Sequence, residues 1–408
     1  MRQVERINTS YYNSYFVNGN KYDELLIWFN VGSLNELTPY YGIVHLFEHL
    51  ICKLEFDGML FSEFLTNNNI SIELKTSLDS MYVYLRGSQG TLDDNLELIF
   101  RFILQGEIYE IDLQKEKKII ANEKISRKFD NIKFYQDELN KLLWREQINA
   151  DILGNNLGVI SLFDVKVLIS ELLKKEHMSI YYSTVDTSKS KLFFSNLTYD
   201  SGEINCKQLS TYAPLLKNFF LEGSRSSQIQ GNPGVMGSII YMLSDDISER
   251  YAIILSLISI ALVNGTSGYL FDKLRNNSYN LYFVISRIYF IFSFPFLEIQ
   301  YIYNSKQISE INNLNKIIID LIKSEEFVAY IKSNLSKLKI NLTDVIEYQL
   351  KSDSLKNFLI FLARENQKGR EEINLNSTKE IIDSITDTDL IQVLNEVLTT
   401  KNVQIFLV

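Results

Sequence analysis

The order of the predicted secondary structure constrains this fold more than any other feature of the sequence. An apolar strand is predicted at 23–31, and an apolar helical stretch covers 41–54. Alternating β-branched and aromatic residues at 70–86 predict one or two strands. Charged helical patterns follow at 93–104 and 112–128, so the chain begins with a strand, a helix, further strands and further helices.

The same order returns in the second half of the chain. Residues 221–238 combine Gly, Ser, Asn and a Pro with little periodicity, which is typical of a linker. A strand is then predicted at 239–243, a buried helix at 251–263 and two paired strands at 281–303. Long helical patterns follow, and a strand at 403–408 ends the sequence.

This recurrence predicts an α+β fold of two similar domains, each a mostly antiparallel sheet with helices packed on one face. The predicted boundaries are 1–222 for the first domain, 223–238 for the linker and 239–408 for the second domain. A helix at 167–177 and a strand at 191–195 are also expected in the first domain.

The composition is that of an ordinary soluble globular protein, with 46% apolar and 22% charged residues among 408. The net charge of −9 and the lack of a dense Lys/Arg cluster argue against a nucleic-acid partner. No signal-peptide core is evident, and the longest apolar run is too short to span a bilayer. Cys52 and Cys206 are far apart, so no disulfide framework is expected and the predicted location is cytoplasmic.

Two of the three histidines lie four residues apart in the sequence His45-x-x-Glu48-His49. On an α-helix this spacing puts both imidazoles on one face, where they can converge on one metal ion. Glu48 projects from the edge of that face and can reach a metal-bound water without being a ligand. This is the inverted zinc motif H-x-x-E-H, which favours a zinc-dependent peptidase. His177, the third histidine, is expected to lie at a helix end.

A catalytic zinc ion usually has three protein ligands and one open position, so a third ligand is needed. The predicted helix at 112–128 offers Glu116 and Glu123, which are seven residues apart and therefore lie on one helix face. A carboxylate from this helix would complete a His₂Glu set of ligands.

With these residues the chain resembles the pitrilysin/insulinase-type zinc peptidases (inverzincins), which include the mitochondrial processing peptidases and small bacterial members. Their pattern is H-x-x-E-H, a glutamate ligand somewhat over seventy residues later, and another glutamate seven residues before that ligand. Glu123 lies 74 residues after His49, with Glu116 seven residues before it. The resemblance implies Zn²⁺ as the cofactor, Glu123 as the third ligand and Glu116 as a supporting acid of the catalytic site.

The resemblance extends to a segment beyond the predicted linker. Family members complete the site with an arginine and a tyrosine from a metal-free domain, in a segment like S-x-L-F-x-x-L-R-x(6)-Y. Residues 267–275 have the sequence SGYLFDKLR, and Tyr282 lies seven residues after Arg275. The resemblance implies that Arg275 and Tyr282 bind the substrate carbonyl or stabilise the oxyanion. The usual Gly-Leu between them is replaced by Tyr279-Asn280.

The family also has a substrate-binding edge strand, which usually has the sequence Asn-Ala-x-Thr. Glu73, Leu74, Lys75 and Thr76 occupy that place, and only the Thr is retained. An edge strand can hold a peptide through backbone hydrogen bonds whatever its side chains are. The changed residues leave the specificity open.

The expected function is therefore a zinc metalloendopeptidase that cleaves unstructured peptides, with leader or precursor processing as a specialised version. Family members enclose peptides between two two-domain halves, so a homodimer or a heterodimer with a related subunit is implied. The alternative is a non-catalytic, peptide-binding subunit of a heterodimeric processing peptidase. A metal-binding regulator without hydrolytic activity is a third candidate.

Overall fold

A computed structural model describes residues 4–9, 12–19, 21–144, 151–198, 209, 223–227, 235–243, 248–276, 281–292, 294–303, 308–351, 355–369, 375–399 and 402–407. The chain divides into two compact units. Unit 1 comprises Met1–Phe134, Glu146–Lys217 and Gln349–Gly369. Unit 2 comprises Tyr135–Arg145, Asn218–Tyr348 and Arg370–Val408.

Unit 1 is built on a six-stranded sheet whose order is β1-β2-β8-β3-β7-β6. Its strands are β1 (Val4–Asn8), β2 (Asn13–Asn18), β3 (Tyr22–Phe29), β6 (Ser71–Thr76), β7 (Met81–Ser88) and β8 (Met178–Thr184). All neighbours are antiparallel except β2 and β8. A separate small hairpin contains β4 (Glu55–Phe56) and β5 (Met59–Leu60). Because β6 pairs only with β7, it is an edge strand of this sheet.

The first part of the chain contributes seven α-helices to the described structure. They are α1 (Ile43–Ile51), α2 (Phe61–Asn67), α3 (Thr91–Gln105), α4 (Glu110–Arg127), α5 (Asn131–Leu143), α6 (Leu162–Leu172) and α7 (Ser188–Asn196). The main core of unit 1 includes apolar residues of α1, α3 and α4 together with Leu25, Ile27 and Phe29 from alternate positions of β3. Side chains of a strand point alternately to its two faces, so these helices cover one face of the sheet.

Unit 2 has a five-stranded sheet with the order β11-β12-β10-β13-β9. Its strands are β9 (Gly223–Ser227), β10 (Val235–Met242), β11 (Leu281–Ile291), β12 (Phe294–Tyr303) and β13 (Asn402–Leu407). Only β9 and β13 are parallel. The remaining helices are α8 (Glu249–Leu262), α9 (Tyr269–Asn276), α10 (Ile308–Ile322), α11 (Glu325–Lys351), α12 (Lys356–Gln367), α13 (Leu375–Ser384) and α14 (Asp387–Thr399).

The α+β fold of two similar domains is confirmed. In each unit an early strand pairs in parallel with the last strand of the sheet, and the other pairs are antiparallel. The helix that follows the central strand is α1 after β3 in unit 1 and α8 after β10 in unit 2. The edge strand β6 corresponds to β11, so the second sheet repeats the first with one strand fewer.

Two helices belong to a different unit from most of their sequence neighbours, so the compact units differ from the predicted domain boundaries. Helix α12 belongs to unit 1 and packs on β3 and β8. Just before this helix, the Leu355 N–H donates to the buried Glu24 carboxylate at 2.7 Å, on the sheet face opposite the main core. Most of α5 belongs to unit 2, where the Tyr135 hydroxyl contacts Ser238 of β10. Local patterns do not reveal such long-range packing.

Two local predictions are corrected by the structure. The predicted linker 223–238 contains β9 and the start of β10, because pairing in the sheet fixes a stretch that lacks apolar periodicity. The predicted strand 191–195 is part of α7, in which Ser190 and Phe194 are buried one helical turn apart. The described parts of the other predicted elements agree in type with the structure.

We expect the ion pair between Arg287 and the buried Glu298 to be important for the stability of unit 2. Arg287 of β11 donates to Oε2 of the fully buried Glu298 through Nε at 2.7 Å and Nη2 at 2.6 Å. Arg287→Met leaves that carboxylate without its cation and is expected to lower the free energy of unfolding by about 3 kcal/mol. Lys273→Met removes an exposed ion pair with Glu326 of the same unit, so its effect on the free energy of unfolding should be much smaller. Urea unfolding followed by circular dichroism measures both variants, and equal effects would contradict this account.

Candidate metal centre

The start of α1 is fixed by a buried carboxylate. Glu36 is fully buried, and its two oxygens accept the backbone N–H groups of Gly42 at 2.7 Å and Val44 at 2.8 Å. These N–H groups belong to the first turn of the helix, where they have no partner within the helix. The negative charge also matches the positive end of the helix dipole. Glu36 therefore sets the position from which His45 and His49 project.

Two glycines allow a loop to pack against this helix start. Gly42 has φ +98° and Gly154 has φ +68°, and a Cβ added at Gly154 would lie 2.2 Å from the Tyr41 carbonyl oxygen. Lys124 of α4 holds the loop, because its Nζ donates to the Gly154 carbonyl and to Asp151 Oδ2, each at 2.8 Å. The loop therefore joins the start of α1 to the helix that carries Glu123.

The two imidazoles and Glu123 converge between α1 and α4. His45 is 6% exposed, and its ring centroid lies 4.8 Å from that of His49. Oε2 of Glu123 is 3.8 Å from His45 Nε2 and 3.6 Å from His49 Nε2. One potential ligand atom from each of the three residues lies within 4.8 Å of the other two.

These separations fit a shared cation better than direct hydrogen bonds. A hydrogen bond would bring nitrogen and oxygen to about 2.7–3.2 Å, which is shorter than either distance to Glu123. A tetrahedral zinc ion with bonds of about 2.0–2.1 Å holds its ligand atoms about 3.4 Å apart. The side chains present therefore fit a small divalent cation, and nitrogen with carboxylate oxygen is a donor set that zinc accepts.

Other charged residues surround the three potential ligands. Glu116 is buried, and its Oε2 lies 3.1 Å from His49 Nδ1, the ring nitrogen that faces away from Glu123. Lys53 Nζ is 3.7 Å from the other oxygen of Glu116, and Arg127 Nη1 is 3.8 Å from Glu123 Oε1. A carboxylate on the second ring nitrogen fixes the orientation of a metal-binding histidine. The buried Nδ1 of His45 has no hydrogen-bond partner among the described residues.

The environment favours the unprotonated ligand forms of His45 and Glu123. Burial, together with the neighbouring His49, lowers the pKa of His45 to about 4, so its imidazole is neutral at pH 7. His49 holds the pKa of Glu123 below its ordinary value, so this carboxylate is ionised. Burial raises the pKa of Glu48, and the neighbouring Thr76 opposes that rise. A carboxylate with a raised pKa is a stronger proton acceptor than an exposed one.

The residues expected at the edge strand lie in β6. Leu74 packs on the core, as does Ile72, and Thr76 is buried beside Glu48. Glu73 and Lys75 are exposed and point to the opposite face because side chains alternate along a strand. The edge strand thus passes the carboxylate of the H-x-x-E-H motif.

Arg275 and Tyr282 lie together in unit 2. With Phe271 and Leu274, they are among the residues that line a cavity of about 280 Å³ formed by α9 and β11. Arg275 Cζ is 5.4 Å from the Phe271 ring centroid, and the Tyr282 side chain is 84% exposed. The changed pair Tyr279-Asn280 lies outside the described residues.

A second group of possible ligand atoms contains Glu171, Glu176 and His177. His177 Nε2 is 3.2 Å from Glu171 Oε1, and Lys174 Nζ is 2.6 Å from the other oxygen of that carboxylate. The lysine already neutralises Glu171, so this group is a local ion-pair cluster at the C-terminal end of α6.

Residues 20–156, which include the three potential ligands, match the profile of insulinase, peptidase family M16. The matched segment covers about a third of the chain. The predicted resemblance to the pitrilysin/insulinase-type peptidases is thereby confirmed, and the matched segment contains the motif helix and both glutamates of α4. No curated protein matches the chain.

Solved structures of two proteases and of one peptidase M16 inactive domain share the fold over the whole chain. A protease from Helicobacter pylori has a TM-score of 0.81 at 19% identity, with 100% of each chain covered. A peptidase M16 inactive domain from Pseudomonas fluorescens has a TM-score of 0.79 at 14% identity, with 99% of this chain and 97% of that chain covered. The periplasmic protease PqqL from Escherichia coli has a TM-score of 0.74 at 10% identity. This chain is covered fully in that match but spans only 46% of PqqL.

Among the described residues, no helix is both long and apolar enough to cross a membrane.

The residues that support the candidate metal centre are not all evident from the sequence. Glu36, Lys124 and Gly154 lie outside the H-x-x-E-H motif and the glutamate spacing, so neither pattern points to them. An acid seven residues before an apolar helix could have indicated a cap, as side-chain acceptors commonly satisfy helix N-termini. The contact between Gly42 and Gly154 requires the tertiary structure.

We expect loss of the Glu36 cap to weaken both the fold and the site. Glu36→Ala leaves two buried N–H groups without their acceptor and should lower the free energy of unfolding by about 2–4 kcal/mol. The control is Glu63→Ala on α2, where an exposed carboxylate accepts a long 3.4 Å bond from Leu60 N–H, and its cost should be below about 1 kcal/mol. Urea unfolding and zinc titration test this, and an unchanged zinc affinity in Glu36→Ala would contradict the proposed link to the site.

Proposed function

We propose that this protein is a zinc-dependent endopeptidase acting on unstructured peptides. His45, His49 and Glu123 are the groups that would hold the ion, since their nitrogen and oxygen atoms converge as described. A bound zinc ion supplies Lewis-acid activation of water and of the substrate carbonyl. The observation that carries the proposal is this convergence beside a further, half-buried side chain, the carboxylate of Glu48.

Glu48 acts as the general base and then the general acid in this proposal. Its carboxylate accepts a proton from the attacking water and later delivers it to the leaving amine. Burial raises its pKa and makes the carboxylate a better acceptor, while Thr76 opposes that rise. Glu116 acts through His49, holding its Nδ1 so that Nε2 faces Glu123.

The edge strand β6 is proposed to bind the substrate backbone. A peptide in extended form can add to this edge as a further strand, which requires a segment without structure of its own. Leader and precursor peptides meet that requirement, so precursor processing is the specialised version of the proposal. Arg275 and Tyr282 are proposed to contact the substrate carbonyl or its oxyanion, because both line one cavity and both side chains are accessible.

A second copy of this chain or a related subunit is the proposed partner. PqqL is about twice as long as this chain, which matches 46% of it. Two copies would reproduce that length, and each copy carries both the metal-binding motif and Arg275. The proposed location is the cytoplasm, on the basis of the sparse cysteines.

A non-catalytic peptide-binding role is the competing proposal. Its support is the similarity to the Pseudomonas fluorescens domain, which is described as inactive. The presence of Glu48 together with all three potential ligands favours the peptidase instead.

Glu48→Gln separates metal binding from turnover. The amide preserves the size of the side chain but accepts no proton, so peptide cleavage should fall by about 10²–10⁴-fold. The zinc content should stay at the wild-type level because Glu48 is not among the proposed ligands. Glu110→Gln, at the exposed start of α4, should change neither quantity. Metal analysis and mass spectrometry of a digested peptide measure both, and full activity in Glu48→Gln would exclude it as the base.

Glu116→Gln is expected to act through His49. Loss of the carboxylate on a histidine ligand typically weakens metal affinity by about 10–100-fold. Zinc titration against a competing chelator measures this change, and Gln114 on the same helix provides the control variant Gln114→Ala. A wild-type affinity in Glu116→Gln would show that Glu116 is only a structural neighbour.

A further inference from the structure

The exposed face of the edge strand carries one acidic and one basic side chain. Glu73 and Lys75 are two residues apart on β6 and point to the same face of the sheet. This face is opposite the one on which Leu74 packs against the core. A peptide that adds to the free edge places a side chain directly opposite each of them on that same face.

The charge of Glu73 is already neutralised within unit 1. Lys356 at the start of α12 forms an ion pair with its Oε2, and the Tyr82 hydroxyl donates to its Oε1 at 2.8 Å. Burial alone would raise the pKa of Glu73, but these two partners hold it below its ordinary value. The carboxylate is therefore ionised, and its charge is matched by a neighbouring ammonium group.

Lys75 has no comparable partner. It is exposed, and it forms neither an ion pair nor a side-chain hydrogen bond with any residue in the described part of the chain. Arg364 of α12 adds a further positive charge near Tyr82, the residue paired with Lys75 across β6 and β7. Glu48 contributes a negative charge near Tyr82 as well. Among these groups the three cations Lys75, Lys356 and Arg364 outnumber the two carboxylates Glu73 and Glu48, so the local charge is positive although the whole chain has a net charge of −9.

Lys75 is also close to the proposed chemistry. It immediately precedes Thr76, which lies beside Glu48. A substrate side chain opposite Lys75 would therefore belong to a residue near the bond to be cleaved. An acidic side chain at that position would gain an attraction that is screened by salt, whereas a basic side chain would be repelled.

We propose that Lys75 is a specificity-determining residue that selects peptides with an acidic side chain opposite it, next to the cleaved bond. Lys356 neutralises the opposing charge of Glu73. This inference rests on the proposed function, because it assumes that a peptide binds along β6. It names the substrate class as acidic, extended peptides.

The test uses the full chain loaded with zinc and carrying Glu48→Gln, so that bound peptide is not consumed. Three fluorescein-labelled peptides have Asp, Asn or Lys at every second position and Ser or Leu elsewhere. Alternate positions share one face of a strand. A peptide that binds two residues out of register therefore still places the same type of side chain opposite residue 75. Fluorescence anisotropy gives the dissociation constants, and wild-type protein is tested for cleavage of the same peptides.

The Asp peptide should bind about threefold to tenfold more tightly than the Lys peptide, as expected for one exposed charge pair replaced by a repulsion. Lys75→Glu should reverse this order, and Glu73→Gln should strengthen the original preference. The control Lys166→Glu, which makes the same charge change at an exposed position of α6, should leave the order unchanged. At about 1 M salt, where the Debye length is about 3 Å, the preference should nearly vanish.

The outcomes separate the two proposals. Binding with no charge preference, or with a preference that Lys75→Glu does not reverse, overturns the role of Lys75 and leaves the peptidase proposal intact. A preference set by Lys75 without cleavage by wild-type protein overturns the peptidase proposal alone. If none of the peptides binds, both proposals are overturned.

Discussion

The packing of α1 against α4 is the constraint on which the candidate site depends. It brings two imidazoles from one helix to a single carboxylate oxygen of the other. Neither helix fixes this arrangement alone, because α1 is held by Glu36 at its start and α4 is joined to that start through Lys124 and Gly154. The geometry of the candidate site therefore relies on polar contacts that lie outside the motif itself.

The two units share a sheet topology but not this chemistry. Helix α8 occupies the place of α1 in unit 2 and contains no histidine, so the duplicated fold has one candidate metal centre among its described residues. Each sheet also uses a buried glutamate to fix a helix or strand, namely Glu24 with the start of α12 and Glu298 with Arg287. Lys356 of α12 also forms an ion pair with Glu73 of the edge strand. Helix α12 therefore contacts the proposed substrate site.

Local patterns predicted the elements that position the site, because helical spacing and strand alternation are properties of neighbouring residues. In the structure, His45 and His49 lie on one face of α1, as their spacing predicted. Glu116 and Glu123 likewise lie on one face of α4. What could not be predicted depends on distant partners. Strand β9 exists because β13 pairs with it, and α12 covers unit 1 although its sequence neighbours lie in unit 2.

The central claim is that one divalent cation binds between His45, His49 and Glu123. X-ray absorption at the zinc edge, on protein reconstituted with one equivalent of zinc, tests it most directly. We expect a four-coordinate ion with two imidazoles and oxygen ligands at about 2.0–2.1 Å, and loss of one imidazole signal in His49→Ala. A spectrum without imidazole scattering, or one unchanged by that substitution, would contradict the account.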